Sequence, residues 1–123
     1  MILLIAVAMG FMSFTYQADT DAIVNAFKSG NASNVTSYFD EFVDLKLLDK
    51  AEIKNMGKNQ AAITLKAFFT ENQISGFEKA SDRELGNTMY MTGKLHGNNK
   101  SYNITVLLKV KEGAHRIISI RIG

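Results

Sequence analysis

Cysteine and proline are both missing from this chain of 123 residues. Without cysteine there can be no disulfide, no thiolate metal site and no thiol nucleophile, and the compartment's redox state is left open. Without proline, a low-complexity tract or an internal repeat, nothing marks a linker between Asp19 and the last residue. An excess of one charge is missing too. Fourteen Lys and Arg stand against twelve Asp and Glu, a formal net charge of +2, and they are scattered along the chain. That excludes the concentrated basic face by which a domain holds nucleic acid. No nucleophile motif, phosphate-cradling loop or cluster of metal ligands occurs, so no metal and no other cofactor is expected. What is present is an ordinary globular balance, 46% hydrophobic and 21% charged. Its length suits one domain with one core.

One long apolar run stands out. Met1 to Phe14 is almost uninterrupted and ends near Thr15, Tyr16, Gln17 and Ala18. It falls short of the roughly 20 residues of a spanning helix and fits the hydrophobic region of a signal peptide. Tyr16 is a poor match to the small residue expected three places before a cut after Ala18, and no basic residue precedes the run. The expectation is a leader over 1–18, export to the periplasm or medium, a mature domain over 19–123, and no stable membrane insertion after processing. An uncleaved anchor is the competing reading.

The mature region is organised around Asn59 to Phe69, where Ala61, Leu65, Phe68 and Phe69 recur at helical spacing and form a stripe that must be covered. Lys58 or Asn59 opens this helix and Asn72 closes it. Upstream, Asp19, Thr20 and Asp21 offer capping chemistry to a short helix carrying Ile23, Val24, Ala26 and Phe27 and stopped by Gly30. A second begins at Ser33 or Asn34 and carries Val35, Tyr38 and Phe39 inward. Val43, Leu45 and Leu47 then alternate, so Phe42 to Leu48 reads as a short strand. Asp49 to Gly57 reads as an extended or turn segment with Ile53 its one core residue.

Downstream the period is two. Ile74 to Glu84 is a weakly patterned strand, with Ile74, Phe77 and Ala80 apolar and Gly76 marking a bend. Met89, Met91, Gly93 and Leu95 alternate with polar residues, as do Tyr102, Ile104, Val106, Leu108 and Val110, with a Gly97-Asn98-Asn99-Lys100 hairpin between them. After Glu112-Gly113, Arg116, Ile118, Ile120 and Ile122 share one face and His115, Ile117 and Ser119 the other. The pattern predicts an α+β fold, with N-terminal helices packed in the concave face of a strongly curved antiparallel sheet. Leu65, Phe68, Phe69, Met91, Val106, Leu108, Ile118 and Ile120 are its expected core.

Tyr38-Phe39-Asp40-Glu41-Phe42-Val43-Asp44-Leu45 entering a strand, Gln60-Ala61-Ala62 opening a helix that ends in Phe68-Phe69, Tyr90 to Leu95 and Ser101 to Ile104 together resemble an uncharacterised family of small exported bacterial proteins. That family has the nuclear transport factor 2-like, or cystatin-like, cone. The resemblance covers most of the mature chain and implies a fold, not an activity. Proteins of the wider fold include isomerases, dehydratases, transport adaptors and ligand-binding modules.

Enzymes of this fold place an acid or base and a hydrogen-bond donor deep in the cone. Here Asp40, Glu41 and Asp44 read as solvated acids beside the strand entry, and His96 and His115 flank turns and are expected at the surface. No catalytic residue is assigned. Arg116, if it shares the face of Ile118 and Ile120, enters the core edge and needs an acid or a bound anion; at the rim it carries its charge outward. Lys94, Lys100, Lys109 and Lys111 read as a solvated sheet face. The aromatic helical layer of Tyr38, Phe39, Phe42, Phe68 and Phe69 faces strands bearing Tyr90, Tyr102 and Arg116. Tyr38, Arg116, Tyr90 and Tyr102 are therefore the expected polar contacts of a pocket at the open end of the cone, holding a small-molecule or peptide-like ligand. The first functional reading is a non-catalytic binding or accessory module of the bacterial cell envelope. The second is assembly, as a homodimer, through the outer sheet face. The third is an isomerase- or dehydratase-like enzyme in the cone.

Overall fold

The computed structural model of the chain describes residues 19–123; the expected leader over 1–18 lies outside them. Residues 19–28 are helical (α1), and their buried face is Ile23, Ala26 and Phe27, spaced for one side of a helix. Gly30 ends this unit with φ at +66°, and a Cβ there would sit 2.8 Å from the Cα of Ser75, so the left-handed turn and the close approach both call for glycine. Asn31 caps the next helix, α2 (Ala32–Thr36), its side chain accepting from the backbone N–H of Ser33 at 2.9 Å.

Six strands follow: β1 (Phe39–Leu47), β2 (Ile53–Gly57), then, after helix α3 (Lys58–Glu71), β3 (Gly76–Leu85), β4 (Thr88–His96), β5 (Ser101–Lys111) and β6 (Ala114–Ile122). They form one sheet in the order β2-β1-β6-β5-β4-β3. α3 packs against α2, β1 and β2 through Ala61, Leu65, Phe68 and Phe69, the stripe its spacing predicts. Among the described residues no helix is long and apolar enough to cross a membrane.

The sheet is mixed, not wholly antiparallel: β1 runs parallel to β6. β3 to β6 are a hairpin-connected meander, whereas β1 and β6 pair across almost the whole domain. Alternation along a strand carries no information on the direction of so distant a partner. β1 begins at Phe39, which is therefore a buried strand residue and not part of the second helix, and Phe42 on the same strand is 57% exposed. In β2 the buried residue is Met56, while Ile53 is half exposed, because Asn55 adopts a left-handed φ of 54° and breaks the alternation. The bend expected at Gly76 is a bulge at Ala80: Lys79 pairs with Gly93 but Ser81 with Thr92. Ala80 is exposed accordingly.

A further bulge has wider effects. On β6, Ile117 pairs with Leu108 and Ser119 with Leu107, so Ile118 is the extra residue. Inward-facing positions switch from odd to even across it: His115 and Ile117 are buried before it, Ile120 and Ile122 after it. Ile118 is therefore only half-buried, outside the core where its parity with Ile120 had it, and Arg116 does not share the face of the later isoleucines.

Gly93 makes room for the ring of Phe77, which in turn meets Phe27 of α1 with ring centroids 5.3 Å apart. A Cβ on Gly93 would lie 2.4 Å from the carbonyl oxygen of Glu78 and 2.6 Å from the Phe77 ring. Because one of these neighbours is backbone, Gly93→Ala is expected to lower the unfolding free energy by about 1–3 kcal/mol. Urea denaturation of the pair measures this.

Candidate functional site

A cavity of about 760 Å³ lies under the first turns of α1 at the end of the sheet where the β3–β4 and β5–β6 turns meet. Its floor is the inward face of two neighbouring strands, Met89 and Met91 from β4 and Leu108 and Val110 from β5, brought opposite one another by the register Met89↔Leu108 and Met91↔Val106. Val24 of α1 adds an apolar side. Acids gather on the rim: Asp21 from α1 with Asp82 and Glu84 from β3. Lys79, also on the rim, is held by Asp82 at 2.6 Å.

His115 forms part of the wall and is 4% exposed. It is inward-facing, contrary to the surface position expected of a residue beside a turn. The two-residue turn at Glu112-Gly113, both with positive φ, pairs Lys111 with Ala114 and Val110 with His115, and cross-strand partners share a face. Oδ2 of Asp19 accepts from the backbone N–H of His115 and lies 3.1 Å from its Nδ1. An ionised carboxylate only accepts, so Nδ1 carries the proton in this pair and the ring orientation is fixed. Asp19 thus reaches across to β6 from the end of α1, beyond the capping role its sequence position suggests. Among the described residues no group of three or more metal-ligating side chains converges.

The four residues singled out in the sequence do not meet at this cavity. Tyr38 is half-buried beside Ala22, Ala26 and Asn34 at a smaller hollow of about 260 Å³. Tyr90, 43% exposed, points away from its neighbours Met89 and Met91 and lies on the outer sheet face. Tyr102 is at the other end of the sheet, where its hydroxyl donates to Oδ1 of Asn72 at 3.0 Å and its ring meets Phe68 edge-on. The ammonium of Lys100 sits 5.4 Å from the centre of that ring. Arg116 borders a hollow of about 520 Å³ with Phe39, Asp40, Lys58 and Lys111. What the reading of the residues missed were Asp19 and His115. The inward face of Val110 together with a two-residue turn was the signal that would have found the histidine.

With the site described, its class is defined by the fold: helices in the hollow of a bent sheet, as in the nuclear transport factor 2-like proteins. The structure is similar to a nuclear transport factor 2-like protein of unknown function from Cytophaga hutchinsonii (12% identity, TM-score 0.57, 85% of this chain and 84% of that one). Residues 20–123 match the profile described as "Domain of unknown function (DUF4783)", and the chain belongs to that family. Solved DUF4783 family proteins are similar too. The one from Bacteroides uniformis shows 24% identity and a TM-score of 0.75 over 83% of this chain and 93% of its own. The one from Bacteroides fragilis shows 27% and 0.72 over 82% and 93%. No protein of curated function matches the chain.

Near Arg116, Asp40 and Lys111 form an ion pair at 2.7 Å. The hydrogen bond from Lys111 holds the Asp40 carboxyl below its ordinary 3.8, and the same bond raises Lys111 above 10.5. A depressed carboxyl stabilises the fold above its unfolded value, and that contribution disappears as pH falls through the folded one. A raised amine stabilises below 10.5 and loses its contribution as pH rises past the folded value. Asp40→Asn is expected to flatten the stability profile at both extremes, below pH 3.8 and above pH 10.5, and to lower stability slightly between them. Thermal melts across pH check it.

Proposed function

We propose that this protein is a ligand-binding module of the cell envelope and that the cavity beneath α1 is where the ligand sits. The observation that carries the reading is the cavity's composition: a continuous apolar floor from Met89, Met91, Leu108 and Val110, with polar groups confined to the rim and one buried imidazole in the wall. Apolar surface left uncovered inside a domain costs stability unless something occupies it, and a pocket of several hundred Å³ with an apolar floor and polar groups around it suits a small amphiphilic molecule. A binding role is favoured over an isomerase- or dehydratase-like one because none of the described tyrosines, Tyr38, Tyr90 and Tyr102, lines this cavity as a hydrogen-bond donor. Envelope residence rests on the apolar leader over 1–18. N-phenyl-1-naphthylamine, a neutral apolar fluorophore, is expected to bind saturably with enhanced emission. Val110→Trp, which fills the floor, is expected to abolish the enhancement while the far-ultraviolet circular dichroism stays unchanged. Absence of saturable binding to the unaltered protein overturns the proposal.

The outer sheet face supports assembly as a second reading. Tyr90 pairs with Leu107, so two neighbouring strands present large side chains on the face away from the helices, and Leu107 in turn pairs with Ser119 next to the bulged, half-buried Ile118. On this reading the chain forms a symmetric dimer, and Tyr90→Glu shifts it to monomer in sedimentation equilibrium. A wild-type chain that stays monomeric at high micromolar concentration removes it.

A further inference from the structure

We infer that the ligand of the cavity beneath α1 is a cationic amphiphile, an apolar chain or ring system ending in an ammonium or similar cation; this rests on the reading of that cavity as a binding site. The apolar part is accounted for by the floor already described. The sign of the head group follows from how the rim charges are spent. Lys79, the one lysine or arginine on the rim, is engaged by Asp82 at 2.6 Å, which makes that pair neutral. Asp21 and Glu84 are exposed and make no ion pair or side-chain hydrogen bond among the described residues. They come from two elements, α1 and β3, so the unspent negative charge borders the opening from both. The Asp19 carboxylate behind them is directed to His115. The whole chain carries a formal +2, so the mouth of the cavity has the opposite sign to the protein around it. An anionic head group would meet two unpaired carboxylates, a neutral one would leave them solvated, and a cationic one would neutralise them while its tail covers the methionines.

Octylammonium, octanol and octanoate share one tail and differ only in head charge, and binding of each is followed by the shifts of the Met89 and Met91 methyl signals in NMR. The expected order of affinity is octylammonium, octanol, octanoate, with roughly tenfold between the first and last at low salt. Raising the ionic strength is expected to shrink that ratio, because the two carboxylates act from the exposed rim. Asp21→Asn with Glu84→Gln is expected to bring it close to one. Equal affinities for the ammonium and the carboxylate at low salt, or tighter binding of octanoate, overturn the inference and leave the binding reading standing. If none of the three shifts the methionine signals, the binding reading itself fails and the inference with it.

Discussion

A single extra residue in the last strand decides which side chains this protein keeps inside. Were β6 to pair with β5 without interruption, the alternation that buries His115 and Ile117 would turn Ile120 and Ile122 outward, and two of the four buried residues of the strand would leave the core. Ile118 absorbs the mismatch. Before the bulge, the register is dictated by the tight turn at Glu112-Gly113, where both residues take the left-handed conformation that such a turn demands. After it, the register is dictated by burial, with Ile120 and Ile122 fully enclosed. Neither end can slip without exposing apolar surface, at about 1.5–3 kcal/mol for each fully buried isoleucine. The bulge lets a hairpin-defined register and a core-defined register live in the same strand. As a by-product it also leaves Ile118 half-buried, outside the core.

From that arrangement follows the attachment of α1. The helix is held at two points: near its start Asp19 receives two donors from His115, and near its end the ring of Phe27 meets Phe77, seated over Gly93. The first contact is polar and directional, the second apolar and dependent on packing. His115 reaches Asp19 only because it precedes the bulge and so faces inward, with Val110 as its cross-strand partner. Removing either partner of the first contact strands a largely buried polar group, which costs more than the bond itself contributes, about 1–3 kcal/mol. Between these anchor points the helix bridges the sheet without filling the space below it, and the cavity lies there.

The helices were legible because their burial follows spacing alone: Ile23, Ala26 and Phe27, and then Ala61, Leu65, Phe68 and Phe69, face inward as a period of 3.6 requires. β4 and β5 were legible for the same reason with a period of two. The errors fall where the backbone breaks its own period. Ala80, Asn55 and Ile118 each shift the alternation by a residue or disturb it, and around them the expected faces differ from the observed ones: Ala80 is exposed, Met56 is buried in place of Ile53, and His115 faces inward in place of Arg116. A bulge leaves little mark on composition, since neither Ala80 nor Ile118 is a glycine. The parallel pairing of β1 with β6 was illegible for a different reason, because a strand's own residues do not state its direction relative to a strand some seventy residues away. The site suffered from both effects. Tyr38, Tyr90, Tyr102 and Arg116 were chosen for their chemistry, and their positions depend on registers that chemistry does not reveal.

The two ends of the sheet are finished differently on its inward face. At the end of Tyr102, a large aromatic side chain is available and is pinned on three sides: its hydroxyl by Asn72, which also ends α3, its ring edge by Phe68, and its face by the Lys100 ammonium. Such a residue fills space and has nowhere else to go. At the other end, the corresponding inward positions of β4 and β5 carry Met89, Met91, Leu108 and Val110, and among the described residues no tyrosine or phenylalanine lines the cavity. Unbranched methionines adjust to what lies against them at small cost in strain, whereas an aromatic plug fixes the shape of its surroundings. The shape of the floor is thus left adjustable where the rim bears unpaired acids and is rigid where the helical layer closes on the sheet. That distribution follows from which residues stand at the inward positions of the two strands. Among the described residues it leaves the inward surface at the α1 end covered by flexible side chains, and that at the Tyr102 end by a fixed aromatic ring.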